Sequence, residues 1–288
     1  MAIYLDHAAT TPVRPEVLQS YLGYLETLGN PAAIHSFGQN SRRLLEEARE
    51  SIAASLNCNR AEVIFTSGGT ESNNLAIKGI FQARNREHQR PLILSSYTEH
   101  HAVIDSIEWL AKSQGAEPIW VPVDFEGQID LNWLSDFVAA NHDRIALGSF
   151  MWANNEVGTL NPVSNLAAIL AEFDIPSHSD SVAAVGQVPM SFSLSGLSAL
   201  SFTGHKIGAP VGVGALISAR SLKVDAQLHG GGHERGLRSG TPNAAAAKAL
   251  ALALEISVAN LETHRRHLLD LQQELLALGR LLILLTKW

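Results

Sequence analysis

Short apolar runs alternate with helical segments along most of this chain, and that alternation constrains the fold more than any single motif does. Val63 to Phe65, Leu92 to Ser95, Glu117 to Val123 and Ile145 to Trp152 read as strands. Helices are expected from Pro15 to about Thr27, from Ser36 to about Leu56, through Trp109, after Asp130 and after Pro162. In the fourth of these, Leu131, Leu134, Phe137 and Val138 share one face. Pro15 suits a first helical turn, where its missing N–H costs nothing. Ser36 and Gln39 have the spacing of a capping box, with Gln39 reaching back to the Ser36 amide. Strands separated by helices must cross over between neighbours, so the predicted class is α/β, a mostly parallel sheet with helices on both faces. Ligands of such sheets bind outside the carboxyl ends of the strands. Polar residues at those ends are therefore the candidates for chemistry.

Lys206 is one of them, set between His205 and a glycine-rich apolar run. Gly204 and Gly208 allow sharp turns and close approach of a planar ligand, and Val211 to Ile217 reads as the strand that aims the lysine. Burial and a neighbouring cation lower a lysine pKa, and the neutral amine then available forms an imine with a carbonyl compound. The alternative is a solvated lysine at a strand end. Asp180 ends another short strand, before a small helix in Pro176 to Gly186. A carboxylate there holds a pyridinium nitrogen protonated, as pyridoxal 5'-phosphate requires to act as an electron sink. Thr66-Ser-Gly-Gly-Thr-Glu-Ser72 is a strand-to-helix turn whose glycines leave amides facing outward at a helix N-terminus, an arrangement that binds phosphate. A plain N-cap by Thr70 is the simpler reading, and the two are compatible.

Phe65 to Asn74, Glu99-His100, Ala153-Asn-Asn-Glu-Val-Gly158, His178-Ser-Asp180, Gly204-His-Lys206 and Gly230 to Thr241 stand in the order found in cysteine desulfurases. From Tyr4-Leu-Asp-His-Ala-Ala-Thr-Thr11 to about Glu255 the chain resembles that branch of the class V aminotransferase-like, pyridoxal-phosphate-dependent enzymes. The resemblance implies the large domain of a type I pyridoxal-phosphate transferase. It implies that Gly69 and Thr70, with Thr203 and His205, hold the cofactor phosphate, and that His100 lies on the cofactor ring and moves protons. It further implies that Asn155 bonds the cofactor's phenolic oxygen or a substrate carboxylate, that Asp180 holds the ring nitrogen, and that Lys206 is the covalent anchor. Thr241 would reach the phosphate of a neighbouring subunit, making a homodimer part of the site. His229 to Arg235 reads as a mobile glycine-rich loop. One position departs from the pattern: Ala183 stands where the family commonly has a glutamine bonded to the ring oxygen, a loss of about 1 kcal/mol for one ordinary hydrogen bond.

The remaining expectations come from composition. A net charge of −7, with 21 scattered Lys and Arg among 288 residues, supplies no basic field and excludes nucleic-acid binding as a reading. No apolar run approaches the roughly 20 residues of a membrane span. The opening Met-Ala-Ile-Tyr-Leu-Asp carries neither a secretory signal nor a transit peptide, so a cytoplasmic protein is expected. Cys58 is the single cysteine, and no positive neighbour next to it would lower its pKa, so it is read as structural.

Residues 1–260 are read as a cofactor-binding large domain with its N-terminal segment, and 261–288 as a helix and apolar tail, the remnant of a smaller domain. In the resembling family that domain carries the nucleophilic cysteine and the arginine that clamps the substrate carboxylate, and Gly279 to Trp288 departs from it, as a truncated chain would. The implied reaction converts L-cysteine to L-alanine and passes sulfur to an acceptor or scaffold protein, for example in iron–sulfur cluster assembly. Impaired desulfuration is expected where cysteine and arginine are missing. The alternatives are a pyridoxal-phosphate lyase or aminotransferase that needs no cysteine nucleophile, and a non-catalytic dimer partner or fragment.

Overall fold

The computed structural model describes residues 3–86 and 90–285, so the last three residues of the apolar tail lie outside the described part. Along the chain the elements are α1 (Pro15–Leu25), α2 (Ser36–Leu56), β1 (Val63–Thr66), α3 (Gly69–Arg84), β2 (Leu92–Ser95), α4 (His101–Gln114), β3 (Glu117–Trp120) and α5 (Leu131–Asn141). They continue with β4 (Ile145–Ser149), α6 (Val163–Ala171), β5 (Ser177–Asp180), the short α7 (Phe192–Ser195), β6 (Ala199–Thr203), β7 (Gly214–Ser218), α8 (Ala244–Ala259) and α9 (Leu261–Leu285). The seven strands form one sheet in the order β1-β7-β6-β5-β4-β2-β3. Neighbours from β6 to β3 are parallel, whereas β7 runs antiparallel to both β6 and β1.

Side chains alternate across a strand, so each apolar run serves two layers at once. Val63, Phe65, Leu200, Phe202, Ala215 and Ile217 pack into the layer of α1, α2 and α8. Ile64, Leu216 and Ile93 join the opposite layer with α3 and α4. Leu92, Leu94 and Ile145 meet α5 and α6. Helices therefore cover both faces, as the alternation of apolar runs and helices requires.

Several local expectations are corrected. The Ser36–Gln39 capping box does not form: His35 is the N-cap, its Nδ1 accepting from the Gly38 amide, and Gln39 donates instead to the Ile34 carbonyl. Thr70 is not an N-cap either, because α3 begins at Gly69 after Gly68 and has no side-chain cap. The stretch after Asp180 is a series of turns rather than a helix. Strand β4 stops at Ser149 rather than Trp152, which leaves Asn154 and Asn155 in a loop beyond it. Among the described residues no single helix is long and apolar enough to cross a membrane; α8 and Leu261–Leu278 pass such a test only together, across a 66° bend.

The glycine-rich loop is anchored rather than loose. Glu234 is buried and receives two guanidinium hydrogen bonds from Arg49, each 2.9 Å, while its Oε2 also accepts from the Phe65 amide at 2.8 Å. Burial opposes the charge of Arg49, yet Glu234 and Glu46 together outweigh it, and the guanidinium pKa is raised.

Candidate active site

The parallel strands end at one edge, and the connections leaving β1, β2, β4, β5 and β6 meet there around a cleft of about 500 Å³. Gly69, Thr70, His100, Asn155, Asp180, Thr203, His205 and Lys206 all line it, with Ala183 among them. Thr241 does not line the cleft; it is exposed beyond Arg238-Ser239-Gly240.

Lys206 sits in the turn leaving β6, and Val213, at the entry to the following strand, supports that turn. Ile207 and Ala209 amides both donate to the Gly204 carbonyl, and the Gly204 amide donates to the Val213 carbonyl. A Cβ at Gly204 would meet Ala209 Cβ at 2.8 Å, and one at Gly208, where φ is +88°, would meet Arg14 Cγ at 2.5 Å. Both glycines make room for protein packing rather than for a ligand. The N-terminal segment completes the clasp: Thr11 N–H donates to the His205 carbonyl, Arg14 N–H to the Gly208 carbonyl, and Arg14 Nε to the Ile207 carbonyl. Lys206 Nζ donates to the Ala8 carbonyl. Burial pushes the Lys206 pKa down, and Asp6, Asp180 and Glu156 pull it partly back. The result is an amine more easily deprotonated than an exposed lysine, as a nucleophile requires. Burial likewise lowers the pKa of His205, whose Nδ1 lies 3.2 Å from Thr10 Oγ1.

Asp180 accepts from the Val182 amide at 3.0 Å and from Asn73 Nδ2 at 2.7 Å. Burial raises its pKa, against the lowering influence of these two donors and of His100 and Lys206. A cation placed beside Asp180 would stabilise its ionised form. His100 caps α4 by accepting the Ala102 amide on Nδ1 at 3.0 Å. In the neutral ring the proton therefore sits on Nε2. Asn155 Nδ2 donates to Glu156 Oε1 at 2.7 Å.

At the N-terminus of α3 the amides of Gly69 and Thr70 have no partner among the described residues. Orphan amides at a helix start favour an anion. Gly69 permits the close approach of the neighbouring turn, since a Cβ there would meet Val182 Cγ2 at 2.5 Å. The donor set thus fits a planar, phosphorylated, nitrogen-containing aldehyde: amides for the phosphate, a buried acid for the ring nitrogen and an amine for the carbonyl carbon.

Two further side chains, Asn73 in the cleft lining and Glu99 outside it, stand in motifs of the sequence that gave neither of them a role. Asn73 orients Asp180, and its Oδ1 is buried without a partner. Glu99 accepts from the Met151 amide through Oε1, leaving Oε2 buried and unpartnered. Burial, with a smaller contribution from Asp180, pushes the Glu99 carboxyl well above the usual range. Asn73 lies one helical turn beyond Gly69, the one signal that would have placed it at the cleft. Cys58 lies outside the cleft, packed against the α1–α2–α8 layer, where burial and then Glu62 push its thiol up to about 12.

The chain is similar to known proteins over most of its length. The profile of the family described as "Aminotransferase class-V" matches residues 3–283, reaching into the tail set apart above. The "IscS-like cysteine desulfurase" of Mycobacterium tuberculosis is 46% identical over 273 residues, covering 94% of this chain and 69% of that protein. "Cysteine desulfurase IscS" of Dictyoglomus turgidum is 41% identical over 94% of this chain and 67% of its own length. Among solved structures, a "NIFS-LIKE PROTEIN" superposes with a TM-score of 0.91 at 34% identity, covering 96% of this chain and 75% of that one. "SspA in complex with cysteine" superposes with a TM-score of 0.82 at 32% identity, covering 88% and 72%. The chain belongs to the class V aminotransferase family, and within it to the cysteine desulfurases.

Proposed function

We propose that this chain binds pyridoxal 5'-phosphate in the cleft and performs the cofactor-dependent part of cysteine desulfuration, the conversion of L-cysteine to L-alanine with release of its sulfur. What supports this reading is the convergence of Lys206, Asp180 and the orphan amides of α3 in one cleft. The cofactor, when bound, supplies an electron sink next to the α-carbon of an amino acid. The amides of Gly69 and Thr70, with Thr203 and His205, hold its phosphate. Asp180 holds a proton at the ring nitrogen and is itself held by Asn73 and Val182. Lys206 would hold the cofactor's carbonyl group through Nζ and would move protons there as a general base. His100 would exchange a proton at Nε2, and Asn155 would orient the ring oxygen or the substrate carboxylate.

Thr241, exposed outside its own cleft, reaches the phosphate site of a second copy, so the working unit is a homodimer. The thiol that takes the sulfur is not Cys58: it lies outside the cleft, and a thiol held up to about 12 supplies almost no thiolate at neutral pH. No arginine lines the cleft among the described residues to clamp a substrate carboxylate. Sulfur transfer to an acceptor or scaffold protein therefore depends on a thiol and a carboxylate clamp brought to the cleft from beyond its own lining.

The test is to load the purified chain with pyridoxal phosphate, follow its visible spectrum on addition of L-cysteine, and assay alanine and sulfide. The reading predicts a spectrum that responds to cysteine with little alanine formed. Rapid alanine formation without any added protein would overturn the view that the chain needs an outside thiol, and sulfide with a keto acid would favour a lyase.

A further inference from the structure

Beneath Asp180 lies a polar group that the mechanism above does not use. His178 is 1% exposed, at the centre of the sheet. Its Nδ1 is 2.9 Å from Ser149 Oγ on β4, and its Nε2 is 2.9 Å from Ser201 Oγ on β6. The register places Ser149 opposite His178 and Ser201 opposite Asp180. Since His178 and Asp180 are two residues apart on β5, all four side chains lie on one face of the sheet, the face that α3 covers.

A neutral imidazole has one donor and one acceptor nitrogen, and each serine hydroxyl rotates to match. The Ser–His–Ser bridge is thus satisfied in either tautomer. Burying three polar groups gives no stability advantage over an apolar trio of similar volume, which can be as stable or more so. The backbone ladder already fixes the separation of β4, β5 and β6; what directional side-chain bonds add is resistance to sliding and twisting of the three strands on the face that carries Asp180. The three bridged strands lead to different walls of the cleft. β4 runs into the Asn155 loop, β5 ends in Asp180, and β6 ends at Thr203, three residues before Lys206.

Resting on the pyridoxal-phosphate reading of the cleft, we propose that His178 is a positioning residue, which holds Asp180 in alignment with Lys206 and Asn155 by tying β5 through its side chain to both of its neighbours.

The test separates positioning from stability. His178→Leu leaves two buried hydroxyls unpaired, whereas the triple variant Ser149→Ala/His178→Leu/Ser201→Ala removes every polar group of the bridge. Urea unfolding, pyridoxal-phosphate titration and hydrogen exchange of the Val182 amide, which donates to Asp180, are measured on the full chain. His178→Leu is expected to be destabilised. The triple variant is expected to recover the urea midpoint yet bind the cofactor about tenfold more weakly and exchange the Val182 amide faster. A triple variant matching the parent in both cofactor affinity and Val182 exchange would make His178 core filler and overturn the proposal. If the parent binds no cofactor, the reading of the cleft fails, and the exchange comparison still decides the role of His178.

Discussion

Two ionic centres in this molecule are assembled from residues far apart in sequence, and they are built on opposite principles. Under the glycine-rich loop, Arg49 and Glu234 are saturated: two mutual hydrogen bonds, a carbonyl acceptor at Val63 for the arginine and the Phe65 amide for the glutamate. In the cleft, Asp180 and Lys206 are not bonded to each other, Lys206 leans on a single backbone carbonyl, and the α3 amides are unpartnered. A saturated centre holds the fold together, whereas an unsaturated one keeps its bonding capacity for a ligand. Asp180 is buried as deeply as Arg49 and Glu234, so burial does not by itself distinguish the two centres.

The contrast predicts where substitutions act. Glu234→Ala leaves the buried Arg49 with only the half-exposed Glu46 as a carboxylate partner, and about 3 kcal/mol of stability, the lower end for a broken buried pair, should be lost in urea unfolding. The pair Arg49→Met/Glu234→Leu should recover most of that loss; a mild effect of the single substitution would mean the centre is not saturated.

Acid should act through a different buried group. Burial pushes the His178 pKa down from 6.5 to about 3, so between those values the unfolded chain binds a proton that the folded chain refuses. The contribution of this group is fully present above about pH 6.5 and is lost on acidification at about 1.4 kcal/mol per pH unit. Urea midpoints of parent and triple serine–histidine variant, compared from pH 7 down to pH 4, should diverge accordingly. Parallel curves would contradict a neutral, buried His178.

A smaller change, in the opposite direction, is expected at the cleft. The folded-state pKa of Asp180 is raised, so its contribution to stability is present below the unfolded value and lost as pH rises through the folded one. Asp180→Asn should therefore stabilise the cofactor-free chain at neutral pH. The unpartnered Asn73 Oδ1 can accept from the new amide after a side-chain flip. The same variant should bind pyridoxal phosphate more weakly, and equal or tighter binding would remove Asp180 from its role. Least affected should be Cys58→Ser, which lies outside the cleft: cofactor affinity should stay within about twofold of the parent, well under 1 kcal/mol.

Much of this architecture was legible in the sequence because strands buried on both faces leave continuous apolar runs, and because the cleft residues sit at the ends of those runs. The bounds of α2 and the placing of Asp180 at a strand end follow from patterns that a few neighbouring residues carry. What stayed hidden depends on long-range partners. Gly230-Gly-Gly-His-Glu-Arg-Gly236 looks mobile until Arg49, more than 180 residues earlier, is brought beneath it. The strand after Lys206 supports its turn as expected, but the clasp from the other side, made by residues 11 and 14 of the chain, has no local signal. The capping pattern at Ser36 failed because His35, one position earlier, accepts the Gly38 amide.

The most direct measurement is borohydride fixation of pyridoxal phosphate to the folded chain, with the modified peptide identified by mass, for the parent and for Lys206→Ala. The account predicts one stoichiometric adduct on the peptide containing Lys206, absent from the variant although its stability changes by no more than about 0.5 kcal/mol. An adduct spread over other lysines, or none on a chain shown to be folded, would contradict it.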